Sequence, residues 1–293
     1  MLKHLLRNMF LPAILLSGFY VVTAQDVQEP TVTNAEWSKP YPPFRIAGNL
    51  YYVGTYDLGC YLITTSQGDI LINTGLAASA SLLKNNIEKL GFKLSDIKIL
   101  LTTQAHYDHL GAMAALKEMT GARVLADEGD ASVMADGGSS DYAMGGGHGK
   151  SYKPVTVDTL MHDRDTIRLG NLQLVMLHHP GHTKGSCSFL FDTRDRQRSY
   201  RVLIANMPTI VTEKKFSDVT DYPGIAKDYA YTLQAMKYLS FDIWVASHAS
   251  QFDLHNKHKP GDRYNPAAFI DRAGYDNSLK DLQKQYDEHL NRH

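Results

Sequence analysis

The sequence predicts an α/β fold in which two β-sheets pack together with helices on their outer faces. Three observations lead there. The 293-residue chain alternates strands and helices in two similar halves, a rhythm that suits packed sheets flanked by helices. Nothing beyond residue 25 reads as a linker, so residues 25–293 form a single domain. The densest group of chemistry-bearing residues, Gln104-Ala105-His106-Tyr107-Asp108-His109, lies between a strand-like run at 97–103 and a helix-forming run that opens at Gly111. That is the carboxyl end of a strand, where open α/β sheets place their ligands.

Composition narrows the class. A formal charge of −1 and a pI near 6.9 leave no basic excess for a nucleic-acid surface or a polybasic membrane contact. Residues 1–24 read as an export signal: Lys3 and Arg7 precede a short apolar run, and Val22-Thr23-Ala24 supplies small residues before a cleavage point. An uncleaved anchor is the competing reading, but the apolar run is short for a span and Pro12 interrupts it. A mature monomer in a bacterial periplasm, with no membrane contact after cleavage, is the expectation. The 2 cysteines, Cys60 and Cys187, sit in apolar strand-like runs, which favours two buried thiols over a disulfide.

Taken in order, a Pro-rich arm at 25–43 leads into strands at 44–46, 50–54, 61–65 and 69–73, separated by turn residues and forming a meander. A helix follows at 78–90, with Leu82, Leu83, Ile87 and Leu90 available to one face and Gly91 ending it. Beyond the 104–109 motif come a helix at 112–119, a strand at 122–126 and a Gly-rich tract at 137–149, too long for a tight turn. Such a loop inside a compact domain flanks an active site or is a mobile insertion. Strands then recur at 166–169, 172–177, 186–191 and 200–205, with a solvated charged tip expected at 193–198. A helix at 224–239, a strand at 243–246 and an amphipathic helix at 277–290 complete the chain.

Two imidazoles, a carboxylate and an amide oxygen within six positions form a metal-ligand set in type and in density. Two further histidines end strand-like runs: His182 in His179-Pro180-Gly181-His182-Thr183, and His248 in Ser247-His248-Ala249. His178 and His179 stand beside the first of these as candidates for support. His4, His162, His255, His258, His289 and His293 lack such a setting.

These three segments, in this order, resemble the metallo-β-lactamase superfamily, and within it the third subclass of class B, most closely the GOB-type enzymes. The resemblance covers essentially the whole mature chain. It implies an αββα sandwich of two mixed sheets, with Zn2+ in a shallow cleft at the sheet edges. Carried over by motif position, one zinc would be held by Gln104, His106 and His182, and the other by Asp108, His109 and His248. Two departures stand out. Gln104 replaces the usual His, and a neutral amide oxygen is the poorer zinc donor, so the Asp108/His109/His248 site should be the tighter. Met207 stands where many superfamily hydrolases, thioester-cleaving glyoxalases among them, carry a bridging Asp. Asn73 also replaces a common Asp.

The implied activity is zinc-dependent opening of the β-lactam amide of penicillins, cephalosporins and carbapenems. A metal-activated water would be the nucleophile, Asp108 would orient it, and Thr209 is the positional candidate for the substrate carboxylate. No serine β-lactamase motif set is present. The rivals are a lactonase or thioesterase on the same fold, and an exported scaffold with a degenerate site.

Overall fold

The computed structural model describes residues 27–31, 34–145 and 149–291. The export signal expected at 1–24, and residues 146–148 of the Gly-rich tract, lie outside them. Among the described residues, twelve strands form two mixed sheets of seven and five. In the larger, β1 (Phe44–Ala47), β2 (Leu50–Tyr52), β3 (Tyr61–Thr65) and β4 (Gly68–Ile72) form an antiparallel meander. After α1 (Ala80–Lys89) the sheet continues in parallel with β5 (Ile97–Leu101). Helices α2 (Tyr107–Leu110) and α3 (Met113–Thr120) lead to β6 (Arg123–Asp127), and α4 (Glu128–Ala135) leads on to β7 (Thr159–Met161).

The smaller sheet takes β8 (Thr166–Leu169), β9 (Leu172–His178), β10 (Cys187–Arg194) and β11 (Ser199–Ala205) in antiparallel order. Helix α5 (Ile225–Lys237) then crosses to β12 (Ile243–Ala246), which lies parallel to β11. The short α6 (Leu254–Lys257) and the long α7 (Arg272–Leu290) close the chain.

The apolar runs in β4 and β5 are continuous because both faces of this sheet are covered. Side chains alternate along a strand. Ile70, Ile72, Ile99 and Leu101 enter the core between the sheets with Phe189, Phe191, Val202 and Ile204. Leu71 and Leu100 enter a second core with Leu83 and Ile87 of α1 and Met113 and Leu116 of α3, and Ile97 joins them because the β4–β5 register shifts beside it. Burying each such side chain contributes roughly 1.5–3 kcal/mol. Tyr229, Leu233 and Met236 of α5 and Tyr275 and Leu279 of α7 close the far side of the smaller sheet. The layering is αββα.

The structure differs from the sequence reading at several elements. Helix α4 was not expected, because Gly129, Asp130 and Ser132 are weak helix formers; it is held by its cap, Asp127 Oδ1 accepting from the Gly129 N–H at 2.9 Å. Strand β7 was not expected either. Helix α7 begins at Arg272 rather than 277, because Asp271 caps it through the Gly274 N–H at 2.8 Å. The 193–198 tip is not merely solvated. Thr193 is buried and its hydroxyl accepts from the Asn49 N–H at 3.1 Å, while Asp195 accepts from Tyr264 at 2.8 Å. Cys60 and Cys187 are buried free thiols.

One edge of the sandwich gathers several strand ends. Ala205 pairs with Ala246, so β11 and β12 stop together. Just past β5, the Thr103 carbonyl accepts from the Cys187 N–H at 2.9 Å, and its hydroxyl meets Ser247 at 2.9 Å. The two sheets are joined there.

Candidate metal centre

The 104–109 motif is held from behind by Asn73, whose Oδ1 accepts from the Thr103 N–H at 2.9 Å while its amide donates to the Gly59 carbonyl at 3.2 Å. Asn73 takes the left-handed conformation, φ 62°, which Asn tolerates better than most residues. His106 remains extended and caps α2, its carbonyl accepting from the N–H groups of His109 and Leu110. Asp108 and His109 therefore project from a single helical turn. Gly111 lets that turn approach the neighbouring chain: a Cβ there would lie 2.5 Å from the Ala77 nitrogen.

His182 sits in the turn between β9 and β10. Asp130 fixes this turn, accepting from the Thr183 hydroxyl at 2.7 Å and the Gly185 N–H at 2.8 Å. The same carboxylate accepts from the Ala105 N–H at 2.8 Å, so it ties the His182 turn to the first motif. Burial pushes Asp130 up to about 6 against these donors. His248 follows β12 directly.

Five of the six expected residues come together in two groups. Asp108 Oδ2 lies 3.2 Å from His109 Nε2 and 3.4 Å from His248 Nε2, and these three groups converge within 4.8 Å. His106 Nδ1 lies 3.1 Å from His182 Nε2. Gln104 is buried with its Oε1 unpartnered, as are Asp108 Oδ1 and both ring nitrogens of the fully buried His109. Unpartnered buried polar atoms are costly in a folded core. Here they are imidazole nitrogens, a carboxylate oxygen and an amide oxygen, the donors a divalent cation takes up. The residues fit zinc.

Groups behind the histidines set their tautomers. His248 Nδ1 donates to Asp57 Oδ2 at 3.1 Å, and His182 Nδ1 to the Thr209 carbonyl at 2.7 Å. Asp141 Oδ2 faces His106 Nε2 at 3.4 Å. The Thr209 carbonyl fixes the proton of His182 on Nδ1 and leaves its Nε2 lone pair facing His106, while Asp57 orients His248 through Nδ1. His106 Nδ1 and His182 Nε2, 3.1 Å apart, converge on one point, where they share a proton or a cation.

The charge balance follows. Burial would raise Asp108, but His109 and His248 hold it well below the ordinary carboxylate range. Burial would lower His248, yet Asp108 and Asp57 carry it up to about 9. Burial, with His106 alongside, pushes His182 down to about 3. For His106 the effect of burial is outweighed by Asp141, and its pKa rises.

Thr209 presents its carbonyl, and at 3.0 Å its hydroxyl, to His182, and its carbonyl also accepts from Tyr229 at 2.9 Å. His178 and His179 do not touch His182; they bond Asp127 and Ser188. The sequence reading missed Asp57, Asp130, Asp141 and Trp37, whose indole N–H donates to Asp57 at 3.1 Å and whose ring lies 5.5 Å from that of His248. No local motif marks any of them.

Residues 60–195 match the family described as the metallo-beta-lactamase superfamily. Among solved structures, the chain is similar to the class B3 di-zinc metallo-beta-lactamase LRA-12 from an Alaskan soil metagenome, 76% identical with a TM-score of 0.89 over 90% of this chain and 100% of that one. It is similar to the metallo-beta-lactamase GOB-18 from Elizabethkingia meningoseptica, 59% identical with a TM-score of 0.90 over 92% and 99% of the two chains. A hydroxyacylglutathione hydrolase of Bradyrhizobium is 33% identical over 116 residues, 40% of this chain and 36% of that protein. The matched segment spans about a third of the length of the curated relatives of that name.

Proposed function

The chain belongs to the metallo-β-lactamase superfamily, to its class B3, and on that premise we propose that it hydrolyses the amide bond of β-lactam antibiotics with zinc. The observation that carries this reading is the convergence of Asp108, His109 and His248 together with the facing rings of His106 and His182, with buried, unpartnered atoms on Gln104, Asp108 and His109. Three protein donors per set leave coordination open, the mark of a catalytic site. When bound there, zinc lowers the pKa of a water toward ~7 and polarises a carbonyl.

The chain's own residues supply orientation. Asp108 stays ionised, and its Oδ1 is free to accept a hydrogen bond from the attacking water. Asp57 and the Thr209 carbonyl bond the Nδ1 atoms of His248 and His182, and so turn their Nε2 atoms toward Asp108 and His106. The Thr209 hydroxyl, shared with His182 Nδ1, is the group we assign to the substrate carboxylate. Penicillins, cephalosporins and carbapenems are the substrates we assign, and resistance the outcome. We assign the mature monomer to the periplasm on the strength of residues 1–24; no helix among the described residues is long and apolar enough to cross a membrane.

The hydroxyacylglutathione hydrolases favour a second reading, hydrolysis of such thioesters. Met207 weighs against it, since it offers no bridging carboxylate. Carbapenem hydrolysis, followed as loss of ultraviolet absorbance, separates the two. Turnover that disappears with a chelator and returns with zinc supports the β-lactamase; zinc binding with thioester but no β-lactam turnover overturns it.

A further inference from the structure

We propose that Asp141, in the described part of the Gly-rich tract, is a positioning residue that supplies the Gln104/His106/His182 set with the negative charge it lacks. The proposal rests on the metal reading above. The two sets differ in charge. Asp108 belongs to one, and Asp57 stands behind it. The other holds an amide and two imidazoles, with no carboxylate among its donors. Asp141 fills that gap from behind: it is 6% exposed, and its Oδ2 lies 3.4 Å from His106 Nε2, an ion-pair contact rather than a hydrogen bond.

The loop is built to hold that carboxylate still. Asp141 Oδ1 accepts from the N–H groups of Ala143 at 2.9 Å and Met144 at 2.7 Å, which leaves Oδ2 for the imidazole. The chain then folds back on itself, Gly145 donating to the Asp141 carbonyl at 2.9 Å. A Cβ on Gly145 would come within 2.4 Å of that carbonyl oxygen, so the fold-back needs glycine. The next residue reaches the other histidine. The Tyr142 hydroxyl donates to the His182 carbonyl at 3.0 Å and the Gly181 carbonyl at 3.2 Å. Consecutive loop residues thus contact both histidines of the set.

A carboxylate behind a ligating histidine fixes its tautomer and raises its basicity, and its loss weakens metal affinity by roughly 10–100-fold. The test is a zinc titration against a competing chelator on the full-length mature chain, comparing wild type with Asp141→Asn. Wild type is expected to bind in a tight and a weak step. The variant should lose roughly 10–100-fold in the weak step alone, with the melting midpoint of metal-free protein retained. An unchanged weak step overturns the proposal, as does a single step in wild type or an equal loss in both steps. No zinc binding by wild type at all overturns the metal reading itself. Ring-nitrogen NMR of metal-free wild type is independent of how the variant folds. His106 protonated at Nε2 supports the proposal, and protonation at Nδ1 alone overturns it.

Discussion

Asp57 and His248 meet at 3.1 Å, Oδ2 to Nδ1, although 191 positions separate them in the chain. The contact joins the turn after β2 to the turn after β12. Asp57 is itself held by the Trp37 indole at 3.1 Å and the Ser250 N–H at 2.9 Å. Asp57→Asn keeps the shape and removes the charge. Affinity at the Asp108/His109/His248 set should fall roughly 10–100-fold. Competitive zinc titration reads this directly, and an unchanged tight step would falsify the positioning role.

Gln104→His should act in the opposite sense. An imidazole nitrogen is a better zinc donor than an amide oxygen, so the variant should retain two zinc ions per chain after dialysis that strips one from wild type. Elemental analysis of dialysed protein decides it. Wild type already keeping two would sink the expectation.

Asp130 accepts three hydrogen bonds from two separate loops, all buried. In Asp130→Asn one oxygen becomes an amide that cannot accept, and at least one donor loses its partner. Leaving such a group unsatisfied costs about 1–3 kcal/mol. Urea unfolding of the metal-free protein should show that loss, and zinc affinity should fall at the His182 side. Equal denaturation midpoints would contradict the clamp.

Asp69, at the start of β4, is 4% exposed, and burial pushes it up to about 6. A carboxyl whose folded value lies above its unfolded one binds protons more readily when folded. Its contribution therefore grows as pH falls from about 6 toward about 4, and at pH 7 its ionised form is destabilising. Asp69→Asn should raise the melting midpoint at pH 7, with the advantage shrinking toward pH 4. A difference between the two proteins that stays constant with pH would refute the assignment.

Much of the site could be read in advance. Gln104, His106, Asp108 and His109 are close in sequence, and His182 and His248 each follow a strand whose apolar run is visible. The supporting carboxylates could not be read. Asp57, Asp130 and Asp141 sit in Tyr-Asp-Leu, Gly-Asp-Ala and Ser-Asp-Tyr, which look like ordinary turn or surface residues. Their roles arise from contacts across 191, 25 to 55, and 35 positions (141 less 106). The sheets were legible for the opposite reason: β4, β5, β11 and β12 each carry a run of buried apolar residues, at 70–72, 99–101, 202–205 and 243–246, and turn residues bound them. Helix α4 was not, because capping by Asp127 and packing against Lys184 select it over its weak propensity; a Cβ on Gly129 would lie 2.5 Å from the Lys184 carbonyl oxygen.

The placement of His248 after the last strand has a consequence for biosynthesis. Asp108 and His109 emerge from the ribosome long before the histidine that completes their set, and β12 must seat beside β11 before that histidine is presented. A stalled or clipped chain ending short of β12 lacks His248, and would offer zinc only two of that set's three donors. Metal capture thus reports on completion of the polypeptide, and a metal-affinity step would separate full-length molecules from nascent fragments.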